Sequence, residues 1–344
     1  MKDLWQHLSE TKKRILLYGT GNGADKILDQ LISRGITVSG VFASDGFVRN
    51  RTFRGFKVIS FSDAVDKFGD FIALVCFGTQ LPCVMENIKK IAATVETYAP
   101  DVPVIDNDSI FDISFVREHK KELEKVYSLL ADELSYKVFE NTVMYKLTGK
   151  LEYLFSIESG KADTYKLLNI TETEVYADLG AYTGDTIKEF IDNAGGYKKI
   201  IAAEPDIKNF RKLKQNTEML KNISYHNVCI SNKCGEMQFS MNSGRNSAVG
   251  KGNNFIGAVS IDALLQNTDV TFIKMDIEGQ ELNAISGGKN TLKKCKPKLN
   301  IAAYHKNEDL FSIPLLLNKI NPDYKIYMRH HPYIPSWDTN FYVL

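Results

Sequence analysis

The sequence has little cysteine and no arrangement of it that binds metal. Its five cysteines, Cys76, Cys83, Cys229, Cys234 and Cys295, form no C-x-x-C pair, which argues against a zinc-finger-type site. Free thiols in a reducing, cytoplasmic compartment are the simplest reading. A charge excess is also missing: 43 Lys and Arg stand against 42 Asp and Glu, a net +1. A nucleic-acid partner that needs a broadly basic surface is therefore not expected. Long apolar runs are absent as well. The opening "MKDLWQHLSETKKRILLYG" reads as neither a secretion signal nor a membrane span. No internal repeat or low-complexity tract is visible. With 44% hydrophobic and 25% charged residues over 344 positions, the chain has the make-up of a globular protein of one large or two ordinary domains.

What is present is alternation. "RILLYG" is a short apolar run ending in glycine. Ala24, Ile27, Leu28, Leu31 and Ile32 then recur at the spacing of one buried helical face. "ITVSGVFASD", "GFKVIS" and "FIALVCFG" read as further strands, with a helix at "SFSDAVDKF" and another over about 81–93. Strands alternating with helices predict a parallel, doubly wound sheet. The two prolines of "YAPDVPVIDNDSIFD" mark a domain boundary. Leu123, Val126, Tyr127, Leu130 and Leu134 then predict one amphipathic helix, and more helix is expected through "YKVFENTVMYKL". From about Thr173 the alternation resumes. "EVYAD", "KKIIAAE", "ISYHNVCIS", "EMQFSMN", "TFIKMD" and "KLNIAAY" read as strands, and "YKIYMRH" with "NFYVL" as an antiparallel pair at the sheet edge. The expected division is a smaller α/β domain at 1–105, a helical linker or cap at 106–172 and a second α/β domain at 173–344.

The stretch "EVYADLGAYTGDT" carries Asp178, Gly180 and Gly184 at a strand–turn–helix joint. In an open α/β sheet, ligands sit beyond the carboxyl ends of the strands. Glu204 ends the next strand, where an acid suits a ribose with two free hydroxyls. Asp178 argues against a dinucleotide, whose pyrophosphate it would repel. A ligand with an ammonium, a sulfonium and a ribose, such as S-adenosylmethionine, suits both acids. The plainer alternative is a joint whose Asp caps the helix. "IKMDIEGQEL" adds Asp276 and Glu278 at the end of another central strand. They could hold cofactor, orient a substrate hydroxyl or bind a divalent ion. They could also simply stabilise a helix start.

Together, "EVYADLGAYTGDTI", "AAEPD", "IKMDIEGQEL", "AAYHKNEDLFSIPLLL" and the final "NPDYKIYMRHHPYIPSWDTNFYVL" resemble the FkbM family of S-adenosylmethionine-dependent methyltransferases, over roughly 174–344. The resemblance implies a class I methyltransferase fold, with a seven-stranded sheet whose last strand runs antiparallel. It also implies O-methylation of hydroxyls on sugars, glycans or related natural-product acceptors. Carried over, Asp178, Gly180, Ala181 and Gly184 would line the methionine end, Glu204 would take the ribose, and Asp206 and Asn227 would lie near the adenine. Asp276 and Glu278 would face the reaction. Many family members show Glu-x-His near the end of the fifth strand. Here only His305 matches, and Ala303 stands in place of the acid.

Methyl transfer to oxygen needs a base within reach of the attacking hydroxyl. His305 is the first candidate, because an unperturbed imidazole is mostly neutral at pH 7. Asp276 is the second, directly or through a bound metal. His330, His331, Tyr333 and Trp337 could form a loop that stacks on a sugar, although a packed surface loop is the reading preferred. "NSGRNSAVGKGNNF" reads as a lid or a long connection.

Upstream, "GTGNGA" gives Gly19, Gly21 and Ala24, and Asp45 ends the next strand. The spacing fits a dinucleotide fingerprint. With "FRGFKVIS", the segment resembles the small Rossmann-like domain at the amino terminus of sugar-modifying acyltransferases, which implies a nucleotide-sugar site or a vestigial one. Two rivals stay open: an NAD(P)-dependent oxidoreductase using this turn, and a non-catalytic binding module. The acceptor, any metal and the state of homo-oligomerisation are left open by the sequence.

Overall fold

The computed structural model describes residues 2–105, 108–240, 248–249 and 254–344. The first sheet contains β1 (Arg14–Tyr18), β2 (Gly40–Ala43), β3 (Thr52–Phe53), β4 (Phe56–Ser60), β5 (Phe71–Val75) and β6 (Glu96–Tyr98), in the order β3-β4-β2-β1-β5-β6. All its pairings are parallel except the β3–β4 hairpin. β5 is buried along its whole length and β1 everywhere but Arg14. Both faces of these strands are covered, which is why they read as apolar runs rather than alternating ones. On the helix Asn22–Ser33, Ala24, Ile27, Leu28 and Leu31 are buried, but Ile32 is 61% exposed. The buried stripe is thus narrower than the spacing predicted.

The second half builds a seven-stranded sheet from β7 (Val175–Leu179), β8 (Lys199–Ala203), β9 (Ile223–His226), β14 (Phe272–Met275), β15 (Lys298–Ala302), β16 (Ile326–His330) and β17 (Thr339–Val343). Its order is β16-β17-β15-β14-β7-β8-β9, and only β17 runs antiparallel. The expected antiparallel pair is present. β16 takes the edge, while β17 is inserted between β16 and β15. β10 (Cys229–Ser231), β11 (Gly235–Ser240), β12 (Ala248–Val249) and β13 (Asn254–Ser260) form a separate four-stranded sheet between β9 and β14. The run "ISYHNVCIS" is therefore two strands in two sheets. The break falls at Asn227, whose side-chain amide donates to the carbonyls of Glu204 and Pro205 at 2.8 and 2.9 Å. Most of "NSGRNSAVGKGNNF" lies outside the described residues.

The single helix expected through Leu134 is also two, Lys120–Tyr127 and Glu133–Thr148. Between them the backbone N–H of Ala131 bonds to the carbonyl of Ile326 at the sheet edge, 2.9 Å away. Asp132 then caps the next helix by accepting from the N–H of Ser135. That second helix serves both cores. Val138, Phe139 and Leu147 join the core of the seven-stranded sheet, and Tyr145 that of the first sheet. The Tyr145 hydroxyl donates to the Ala99 carbonyl at 2.9 Å, and buried Lys146 pairs with Asp101 at 2.7 Å. A further link joins Thr79 and Ile334, which exchange backbone hydrogen bonds of 2.7 and 2.9 Å. Among the described residues no helix is long and apolar enough to cross a membrane.

Candidate active site

Strand order reverses at β7, whose neighbours are β8 and β14. A crevice is expected beyond the carboxyl ends of the strands there, and a cleft lies there with a volume of about 310 Å³, within the range of ligand pockets. Gly180 turns the chain out of β7 at a φ of +89°, and a Cβ at this position would lie 1.9 Å from the carbonyl oxygen of Asp276. No other residue fits between the two strand ends. The N–H groups of Gly180 and Ala181 both bond to the Ala203 carbonyl, which fixes the turn against β8.

Of the cofactor candidates, Gly180, Glu204 and Asp276 line this cleft. Glu204 is 6% exposed. One of its oxygens accepts from the Tyr182 N–H at 3.0 Å and the other from the Asp206 N–H at 2.9 Å. Burial pushes its carboxyl up to about 7, against the pull of those two N–H groups. The remaining candidates support the cleft from behind. Ala181 is fully buried. Gly184, at a φ of +89°, packs against Leu213 and Thr217 at the start of the next helix. Asp206 is the cap of helix Ile207–Asn216 and accepts from Lys208 and Asn209. Asn227 pins the β8 end as described above. Both side chains hold local backbone, Asp206 through Oδ1 and Asn227 through its side-chain N–H.

Asp178 is fully buried. Its Oδ2 accepts from the Thr186 hydroxyl at 2.5 Å, and its Oδ1 lies 3.5 Å from Nζ of Lys274. Burial raises its carboxyl above the usual range, and Lys274 pulls it back down. The repulsion of pyrophosphate expected from Asp178 is thus offset by a cation that the sequence argument overlooked. Its signal was the lysine inside the otherwise apolar "TFIKMD", since a charge in a central strand needs a partner.

At the other end of the cleft stand Asp276, Glu278, Tyr304 and His305. The Tyr304 hydroxyl donates to Oδ1 of Asp276 at 3.1 Å. Glu278 has a φ of +53°, a strained conformation of the kind found at functional sites. His305 is 2% exposed. Its Nε2 lies 3.5 Å from both Asp276 and Glu278, and its Nδ1 3.0 Å from Oε1 of fully buried Glu281. Burial alone would lower its pKa. The carboxylates of Glu281, Asp276 and Glu278 outweigh burial and push it up to about 10. Those three carboxylates favour the imidazolium form of His305, which weighs against its serving as the general base. Glu281 and Asp309, which the sequence reading did not single out, belong to the same cluster: burial and Glu281 push Asp309 up to about 7. Asp276, Glu281 and His305 each bring a ligand atom within 4.8 Å of the others.

His330 and His331 do not reach the cleft. Burial lowers them to about 3 and about 4. His331 donates through Nδ1 to the Ser159 carbonyl and accepts at Nε2 from Tyr342. Tyr333 and Trp337 do line it, their ring centroids 5.7 Å apart, and so does Gln80 from the first half of the chain. The upstream glycine turn contributes nothing to this cleft. A Cβ on Gly23 would lie 2.4 Å from the Cys76 carbonyl, so packing explains that glycine. Asp45, two residues past β2, accepts from the N–H and hydroxyl of Ser62 at a helix start.

Residues 178–324 match the family model described as the methyltransferase FkbM domain. No curated protein matches the chain. Among solved structures, the methyltransferase FkbM from Methylobacillus flagellatus is 22% identical, with a TM-score of 0.75 over 96% of this chain and 90% of its own. Precorrin-6y C5,15-methyltransferase from Geobacter metallireducens covers 53% of this chain and 84% of its own at 11% identity and a TM-score of 0.35. Fibrillarin from Aeropyrum pernix covers 54% and 74% at 12% identity and the same TM-score of 0.35. Residues 178–324 thus match the methyltransferase FkbM domain, and the fold is shared over nearly the whole chain with a solved methyltransferase FkbM.

Proposed function

We propose that the protein is an S-adenosylmethionine-dependent O-methyltransferase acting on a hydroxyl of a sugar, glycan or related polyhydroxylated acceptor. The observation that carries this is Glu204 at the end of β8. Each of its oxygens accepts one backbone N–H, which leaves lone pairs on the cleft side for two ribose hydroxyls. When bound, the cofactor supplies an electrophilic methyl group on a sulfonium. Asp276 would take the proton of the acceptor hydroxyl at its carboxylate as that hydroxyl is methylated. Tyr304 holds Asp276 through its hydrogen bond. Much of the rate comes from holding oxygen, carbon and sulfur in line. Tyr333 and Trp337 offer the acceptor an aromatic wall, which supports a ring-shaped substrate.

Isothermal titration with S-adenosylhomocysteine and with NAD tests the cofactor. Tight homocysteine-analogue binding is expected, and NAD binding in its place would sink the proposal. A Glu204→Gln change should weaken S-adenosylhomocysteine about tenfold, the scale of a lost charged hydrogen bond. The wild-type carboxyl titrates at about 7, and its ionised form is the better acceptor for two hydroxyls. Affinity should therefore rise between pH 6 and 8 in the wild type and stay flat in Glu204→Gln. Transfer of tritium from methyl-labelled cofactor into a cell glycan extract tests the acceptor class; a blank despite cofactor binding would favour a non-catalytic binding module.

A further inference from the structure

We propose that the first half of the chain completes the acceptor side of the cleft: Gln80 binds hydroxyls of the acceptor ring, and Gly78 sets the position of the Trp337 ring on which the acceptor stacks. This rests on the acceptor reading above. It adds two residues far outside the matched family domain. Tyr333 and Trp337 also lie past residue 324, where that match ends, so the domain match assigns none of the four a role.

Gly78 and Gln80 follow β5, in the loop that leads to helix Pro82–Thr94. This loop grips the segment that carries the two rings. Thr79 and Ile334 form an antiparallel bridge, with backbone hydrogen bonds of 2.7 and 2.9 Å. Ile334, between the two rings in sequence, is fully buried and belongs to the core of the first sheet. Gly78 lies against the rings themselves. A Cβ there would stand 2.5 and 2.9 Å from Cζ3 and Cε3 of Trp337, and 3.2 Å from Cε1 of Tyr333. Carbon atoms in contact sit about 3.5–4.0 Å apart, so any side chain at this position must move the Trp337 ring. The φ of Gly78 is not in the left-handed region, so the approach of the rings, and not the backbone, is what calls for glycine. The far end of the segment is tied as well: the His331 N–H bonds to the Asp338 carbonyl at 3.1 Å, and the Asp338 carboxylate takes Lys161 at 2.9 Å. The aromatic wall is thus placed from the first half of the chain. Gln80, one residue past the bridge, is exposed and lines the same cleft. A carboxamide carries two donors and an acceptor oxygen, which suits neighbouring sugar hydroxyls that both donate and accept. The rings beside it offer apolar area to the C–H face of a sugar. None of these groups is charged, so the subsite suits a neutral ring.

The test uses the full chain, with the cell glycan extract as acceptor. Gln80→Ala should raise the extract concentration that half-saturates methyl transfer by about five- to tenfold, the scale of one or two lost hydrogen bonds. S-adenosylhomocysteine affinity should stay within about twofold, and the loss should fall on KM more than on kcat, as expected for binding made before the transition state. Gly78→Val is made in a Trp5→Phe background, where Trp337 is the sole tryptophan. It should shift the emission maximum of Trp337 and raise the half-saturating concentration in the same way. Should Gly78→Val fold poorly, Gly78→Ala adds a single carbon, and both effects are expected in weaker form. Unchanged half-saturation in Gln80→Ala, or Trp337 emission unmoved in the Gly78 variants, would overturn the subsite while leaving the cofactor and acceptor readings intact. So would an equal loss of S-adenosylhomocysteine affinity, which a merely structural role predicts. Wild type that binds S-adenosylhomocysteine but transfers no methyl into the extract would overturn the acceptor reading and the subsite together.

Discussion

Replacing His305 by glutamine is expected to destabilise the protein by about 3–5 kcal/mol, the scale for leaving a buried charge without its partner. Glu281 is 0% exposed and loses the cation 3.0 Å from its Oε1, while its Oε2 already lacks a hydrogen bond. Asp276 and Glu278 lose their shared cation at 3.5 Å. The effect has a defined pH dependence. The folded-state pKa of about 10 lies above the ordinary value of about 6.5. The stabilisation is thus complete below pH 6.5, declines above it and is lost as pH rises through 10. Thermal melts of wild type and variant should differ most at pH 6 and converge toward pH 10. A second change, Glu281→Gln, should recover part of the loss by removing the stranded charge. If His305→Gln melted like wild type at pH 6, the imidazolium assignment would be wrong.

The parts of the site visible in the sequence are those in which one residue's neighbours along the chain decide its role. Gly180 is legible because a strand must turn there. Glu204 and Asp276 are legible because each ends a strand, and parallel strands end at one edge. Roles set by neighbours across the sheet are not legible. Asp178 reads as an open acid until β14 places Lys274 beside it. His305 reads as a neutral base until Glu281, far back along the chain, is found against its ring. That Asp206 caps a helix and Asn227 pins a strand end is likewise invisible along the chain. The same limit explains the fold-level misses. The apolar spacing through Leu134 suits a helix, yet Leu130 belongs to a bridge with Ile326 at the edge of the distant β16. "ISYHNVCIS" has the pattern of one strand, and only the side-chain bonds of Asn227 reveal the corner.

In the mechanism proposed above Asp276 is the base, and Asp276→Asn is expected to lower kcat by about 10²–10⁴-fold, the range for a lost general base. The Asp276 side chain is 37% exposed, lines the cleft and follows directly on β14 at the edge where the methyl group would be presented. Asparagine has the same shape and keeps an oxygen for the Tyr304 hydroxyl, so the loop should keep its conformation. It cannot accept the acceptor's proton. The loss should therefore fall on kcat, with S-adenosylhomocysteine affinity held within about threefold, as expected when an interaction made only in the transition state is removed. Transfer of labelled methyl into the glycan extract gives the rate, and calorimetry gives the affinity. A variant that kept more than a tenth of the wild-type rate would show that Asp276 is not the base. Glu278, whose Oε2 also faces His305 at 3.5 Å, would then be the carboxylate to change.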